Sequence, residues 1–377
     1  MNEEHLRRRF ARQRQLNPPS PDLGSRALAS LPPRSRGHRW LRRLSPAAVI
    51  AGGFAVLIVT AMAITLTHGL PAQAPEPATI PSPRIGPVTG PSGLSGAAVA
   101  VDERRHEVLL FGGSRSRKAT NETWVLAGGT WRQLHPALAP SPRVNASMAY
   151  DPVTRRLLLV GTYLPNGSGF LGGAMDSWSW DGTTWRQLHP TNDPDPDLYS
   201  AAVDAARHQV ILHRGGAPLV ATWTWDGTNW AQHPGAAGPA GFGGMSYDPL
   251  TGMVINVLFN PNGVDSSITW GWTGSTWREV TETQGLFTKG LLMAFDLPSH
   301  RLVAVNGPGC DAQGCSTETW LWDGRGWTRT AATHGPHNPG ALVTDPASGS
   351  ALLLGGPNQD DRYSQAWLWT GSDWARI

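Results

Sequence analysis

Two kinds of hydrophobic pattern divide this chain. From Pro46 to Leu70 there is no charged residue, and apolar side chains follow one another without a period. Beyond residue 94, short apolar runs alternate with turn residues and return every 45 to 54 positions. The core of the first stretch, AAVIAGGFAVLIVTAMAITLT, covers Ala47 to Thr67. At a 1.5 Å rise its length reaches roughly 30 Å, the thickness of a bilayer core. A soluble helix of that length keeps a polar face, so the pattern predicts a transmembrane helix over 46–69.

The second pattern is an internal repeat, marked most clearly by tryptophan. A Trp-x-Trp-Asp-Gly-x-x-Trp unit appears as WSWDGTTW, WTWDGTNW, WGWTGSTW, WLWDGRGW and WLWTGSDW, preceded by a degenerate WVLAGGTW. The first Trp of each copy falls at 124, 178, 223, 270, 320 and 367. A second landmark keeps time with it. Each copy begins with small and apolar residues that end in an aspartate: Asp102, Asp151, Asp204, Asp248, Asp296 and Asp345. A turn follows, then a dense apolar run such as VLLF at 108–111 or LLLV at 157–160. Each copy therefore reads as four strands, called a to d. Strand a is rich in small residues. Strand b is apolar on both faces and must be covered on both. Strand c is Trp-x-Trp, whose rings share one face because side chains alternate. Strand d opens at the third Trp. The c–d link has glycine second (Gly128, Gly182, Gly227, Gly274, Gly324, Gly371), which supplies the positive φ of a tight hairpin.

A four-stranded sheet buried on both faces needs like neighbours, and six of them arranged radially cover one another. The expected fold is therefore all-β, a six-bladed β-propeller with four antiparallel strands per blade over 94–377, preceded by one transmembrane α-helix. Small residues suit strand a, where blades converge on the axis. The tryptophans (Trp124, Trp131, Trp178, Trp180, Trp185, Trp223, Trp225, Trp230, Trp270, Trp272, Trp277, Trp320, Trp322, Trp327, Trp367, Trp369, Trp374) are expected to fill the widening wedges. Each can bury roughly 150–250 Å², which makes them core rather than a ligand platform. Copy 1 starts with strand a and copy 6 ends with strand d, so no strand exchange is expected at the seam.

Charge changes the picture at the N-terminus only. Residues 1–45 hold 11 Arg and three acids, about +8, whereas the remainder carries about −5. The high isoelectric point describes the tail, so a nucleic-acid partner is not implied. Arg39, Arg42 and Arg43 abut the apolar stretch and no Lys or Arg follows it until Arg84, which places the N-terminus in the cytoplasm and the large domain outside. Residues 70–93 include PAQAPEPATIPSPRIGPVTGPSG and form a semi-rigid Pro-rich stalk. Ala72-Gln73-Ala74 has the form of a signal-peptidase site, the rival to an uncleaved anchor; Pro75 just after it fits cleavage poorly. Outside the membrane Cys310 and Cys315 are free to form a disulfide; free thiols and a metal site are the alternatives.

The repeat resembles the kelch family and the propeller of galactose oxidase. The resemblance covers about 94–377. It rests on the four-stranded period, a Gly-Gly doublet closing strand b (Gly112-Gly113, Gly215-Gly216, Gly355-Gly356) and a Trp opening strand d. Copies 2, 4 and 5 lack the full doublet. Galactose oxidase chemistry would need a Tyr–Cys cross-link, two His ligands and a second Tyr at the axis; no matching motif stands here. No catalytic residue, metal ligand or cofactor is assigned.

Strand order puts the long b–c and d–a loops on one face, where function is usually placed. The candidate binding residues there are Arg115, Arg117, Tyr163, Asp193, Asp195, Asp197, Arg214, His334, His337, Asp361, Arg362 and Tyr363. The expected function is a binding module for protein or glycan, anchored in the cell membrane by a single pass with the propeller extracytoplasmic. Two other readings stand beside it: a transmembrane sensor whose Arg-rich tail holds a cytoplasmic regulator, in the layout of anti-sigma proteins, and a metal-dependent oxidase.

Overall fold

The structure is a computed structural model. It describes residues 90–377 apart from 164–172, 216–219, 235, 237, 242, 260–265, 287–290, 307–308 and 312–313. The predicted tail, transmembrane helix and most of the stalk lie outside the described residues. Among the described residues no helix is long and apolar enough to cross a membrane.

Each repeat forms one antiparallel sheet. Blade 1 comprises β1 (Ala98–Asp102), β2 (Glu107–Phe111), β5 (Thr123–Ala127) and β6 (Thr130–Leu134), with a small hairpin of β3 (Ser114–Arg115) and β4 (Lys118–Ala119) in its b–c loop. Blade 2 comprises β7 (Ser147–Asp151), β8 (Arg156–Tyr163), β9 (Ala174–Trp180) and β10 (Trp185–Leu188). Blade 3 comprises β11 (Ser200–Asp204), β12 (Gln209–Arg214), β13 (Ala221–Trp225) and β14 (Trp230–Gln232). Blade 4 comprises β15 (Gly244–Asp248), β16 (Met253–Phe259), β17 (Ser266–Trp272) and β18 (Trp277–Gln284). Blade 5 comprises β19 (Leu292–Asp296), β20 (Arg301–Val305), β23 (Thr319–Trp322) and β24 (Trp327–Arg329), with a hairpin of β21 (Gly309–Asp311) and β22 (Gly314–Ser316). Blade 6 comprises β25 (Asn338–Thr344), β26 (Ala351–Gly356), β27 (Gln365–Trp369) and β28 (Trp374–Arg376). The first strand of each blade touches the first strand of the next, and β25 touches β1. The ring is closed, and the fold is a six-bladed β-propeller whose blades are each contiguous in sequence.

Alternation along strand b explains the packing. In β2, Leu109 and Phe111 face blade 2, while Val108 and Leu110 face blade 6. In β8, Leu157 and Leu159 face blade 1, and Leu158 and Val160 face blade 3. Each wedge is then filled by the tryptophans of its later blade. Trp178, Trp180 and Trp185 sit between blades 1 and 2, and Trp223, Trp225 and Trp230 between blades 2 and 3. The second and third rings of a copy are register partners across the c–d hairpin and tilt against each other 5.1–5.5 Å apart in blades 2 to 6. Fourteen of the seventeen repeat tryptophans are buried; Trp124, Trp270 and Trp367, first in their copies, are half-buried.

The indole N–H of each third Trp crosses to the preceding blade. Trp185 donates to Thr123 Oγ1 at 3.1 Å, Trp230 to Ser177 Oγ at 3.1 Å and Trp277 to Thr222 Oγ1 at 2.9 Å. Trp327 donates to Thr269 Oγ1 at 3.0 Å and Trp374 to Thr319 Oγ1 at 2.8 Å. The acceptor is always the residue before the first Trp of its copy. In blade 6 that residue is Ala366, and the buried Nε1 of Trp131, which should meet it, has no partner.

The strand-a aspartates are buried in blades 1 to 5 and organise the a–b turns. Asp151 accepts from Val153 N, Thr154 Oγ1 and, in the next blade, Trp225 Nε1 at 3.0 Å. Asp248 repeats this with Leu250 N, Thr251 Oγ1 and Trp322 Nε1 at 3.0 Å. In blades 1 and 3 an arginine three residues on takes the aspartate instead: Arg105 with Asp102 at 2.9 Å and Arg207 with Asp204 at 3.1 Å. Both arginines lie over the c–d glycine of the next blade, where a Cβ on Gly182 or Gly274 would overlap the side chain. Those glycines are required twice, by a φ near 100° and by this close approach.

The seam between blades 6 and 1 is latched by the residues that precede β1. Leu94 is fully buried with Leu110, Leu352, Leu354 and Tyr363. The Tyr363 hydroxyl accepts from Ala97 N at 3.0 Å and donates to Ala97 O at 3.2 Å, while Arg362 N donates to Leu94 O at 3.1 Å. Ser95 bridges Ser114. No strand is exchanged, as the sequence predicts, but a non-periodic segment does the fastening.

Candidate functional site

Two concavities open on the propeller axis. The larger, about 770 Å³, is lined by the C-terminal halves of the six inner strands and by a–b turns. The smaller, about 240 Å³, is lined by the N-terminal ends of the same strands, including Ser147, Ser200, Gly243, Gly244 and Gly340. They share Val99, Met148, Ala201, Met245, Met293 and Leu342, each three residues before its strand-a aspartate, together with Val343, so that ring is the waist of one axial channel.

The wide mouth is on the a–b face. Above the waist, the residue before each strand-a aspartate forms a second ring: Val101, Tyr150, Val203, Tyr247, Phe295 and Thr344. Three of the six are aromatic. Glu103, His106 and Asp345 supply the ionisable groups of the wall. Glu103 is exposed at the rim, yet partial desolvation of its carboxyl and then the nearby Asp102 hold its pKa above the ordinary range. Asp345 accepts from Ser348 N and Oγ at 2.9 and 2.6 Å.

The long-loop face carries the residues predicted from sequence, and it distributes them among separate clusters. Arg115 pairs with Glu122 at 3.0 Å and reaches the Ser92 carbonyl, near Asp361 across the seam. Burial alone would raise the Glu122 carboxyl, but hydrogen bonds from Arg115 and Trp124 outweigh it and its pKa falls. Arg117 is exposed with a positive φ. Arg362 donates to Gln359 O at 3.1 Å. Tyr363 is 1% exposed in the latch, and burial pushes its hydroxyl up to about 12. Asp197 pairs with Arg214 at 2.5 Å. Asp193 and Asp195 are exposed on the same loop, whose Tyr199 donates to Asp195 O at 3.0 Å. His334 meets Asp373 at 2.7 Å, and His337 is exposed nearby in sequence. Tyr163 lies under the guanidinium of Arg143, 5.2 Å from its carbon.

Sequence reasoning passes over three features. Arg143 is 1% exposed and joins Asp176 at 2.5 Å, with Gly161 O and Ser141 O as further acceptors. His213 is buried between Thr222 Oγ1 at 3.2 Å and Pro239 O at 2.9 Å. The third is the wide mouth itself. Only the recurrence of Tyr, Tyr and Phe before the strand-a aspartates could have signalled it.

Cys310 and Cys315 are register partners in the β21–β22 hairpin; their side chains lie outside the described residues. Among the described residues no group of three or more His, Cys, Asp or Glu is placed to hold a metal.

No protein-family model matches the chain, and no curated protein sequence does. Among solved structures, the one titled "Structure of YjhT" superposes with a TM-score of 0.51 at 13% identity, covering 77% of this chain and 99% of that one. Likeness at that identity is likeness of fold.

Proposed function

We propose that this chain is a membrane-tethered, extracytoplasmic propeller of kelch type that binds a protein or glycan ligand and performs no chemistry. The tether is argued from the uncharged stretch over 46–69 and the arginines before it. One observation carries the binding site: the wide mouth has about 770 Å³ of space, and all six blades build its wall. That volume lies within the roughly 300–1,000 Å³ of small-ligand sites. A protruding group, such as a chain end or a side chain, suits it better than a flat surface.

The test captures ligands from immobilised glycan and peptide collections with the full chain. Ser246→Trp, which plugs the mouth, should abolish capture, and exchange of the loop 357–365 should leave it intact. Capture that survives the plug and fails on loop exchange would move the site to the long-loop face.

A further inference from the structure

We infer that the wide mouth selects a ligand group carrying positive charge on an apolar body, a substituted ammonium in particular. The inference rests on the reading of the mouth as the binding site and adds the chemistry of what enters it. Tyr150, Tyr247 and Phe295 line the wall from three blades, Tyr247 half-buried and the other two with only a small part of the side chain open, above a waist with Met148, Met245 and Met293. A cation over an aromatic face is attracted by the ring quadrupole, and thioethers add a polarisable apolar floor.

Charge is sorted in the same sense. The acids of the wall are Glu103 and Asp345, on the adjoining blades 1 and 6, and among the described residues no Lys or Arg lines the mouth. The a–b turns are nevertheless rich in arginine. Arg105 turns to Asp102 and to the Asp181 carbonyl of the next blade, and Arg207 to Asp204. Arg156 and Arg301 lie by the c–d turn acids Asp181 and Asp323. These four guanidinium groups lie by acids outside the mouth lining, whose own carboxylates are those of Glu103 and Asp345. An anion entering there would meet the carboxylates of Glu103 and Asp345. A strongly hydrated inorganic cation would lose its water without a ligand cage. A substituted ammonium loses little hydration and gains both ring and carboxylate contacts.

The test is calorimetric titration of the full chain in lipid nanodiscs with three probes of one shape: choline, its neutral isostere 3,3-dimethylbutanol and the anion 3,3-dimethylbutanoate. Choline should bind at least about tenfold more tightly than the neutral probe, and the anion should not bind. Glu103→Gln and Phe295→Leu should each shrink that ratio; both substitutions sit at the mouth lining, and Glu103 is outside the core. Equal binding of choline and 3,3-dimethylbutanol, or preference for the anion, would overturn the inference and leave the mouth as a binding site. Silence from all three probes overturns it as well. If Ser246→Trp then also fails to affect ligand capture, the site assignment falls with it.

Discussion

A hydroxyl before each first tryptophan is a small feature with a large bearing on this fold. Thr123, Ser177, Thr222, Thr269 and Thr319 each accept an indole N–H from the following blade, inside a wedge where water cannot substitute. Ala366 breaks the series and leaves Trp131 Nε1 buried without a partner. Ala366→Ser should therefore stabilise the chain by about 1 kcal/mol, the net worth of a typical buried hydrogen bond, measured as a shift in urea midpoint at constant slope. His213 belongs to the same network. Trp277 donates to Thr222, whose hydroxyl faces His213 Nδ1, and Pro239 O can only accept, so Nε2 holds the ring proton. Burial, opposed only partly by the Pro239 carbonyl, lowers the His213 pKa to about 4 from 6.5. Between those values the unfolded chain binds the extra proton and the folded chain does not. Stability from this group is then complete above pH 6.5 and is lost as pH falls toward 4, by about 3 kcal/mol. Denaturant titrations from pH 7 to 4 should show that loss, and His213→Gln should flatten the difference.

At the scale of strands and turns, contacts between successive blades couple each a–b turn to the next c–d turn. Gly182 and Arg105 are the sharpest instance, since a side chain at Gly182 must meet both an unfavourable φ and the guanidinium. Gly182→Ala should cost more than about 1 kcal/mol. Adding Arg105→Ala should recover part of that cost, and a double-mutant cycle of unfolding free energies would show the coupling as non-additivity. The strands, their order, the wedge-filling rings and the c–d glycines were legible in the sequence because each is written in periodicity or in a turn residue. The hydroxyl series was equally present but is silent until the third Trp is seen to reach backward across a wedge. The latch at Leu94 and Ala97 has no period to reveal it. The loop residues were readable as polar and long, whereas their pairing, such as Arg214 with Asp197 or Arg143 with Asp176, depends on each d–a loop folding back onto a strand of the blade it enters.

For the molecule as a whole, closure is what gives six marginal sheets a common stability and an axis. Each blade is apolar on both faces, so an open array would leave two greasy ends. Closure also creates the channel, whose wide mouth is assembled from residues up to about 250 positions apart and therefore shows no local motif. The latch makes the same closure depend on the segment just before β1. Closure is tested most directly by distances between spin labels on a–b turns, placed in a background with Cys310 and Cys315 replaced by serine. Labels at Arg104 of blade 1 and Ala347 of blade 6 should lie closer together than labels at Arg104 and Leu250 of blade 4. An open stack would give the reverse order, with the blade 1 to blade 6 distance the longest of all.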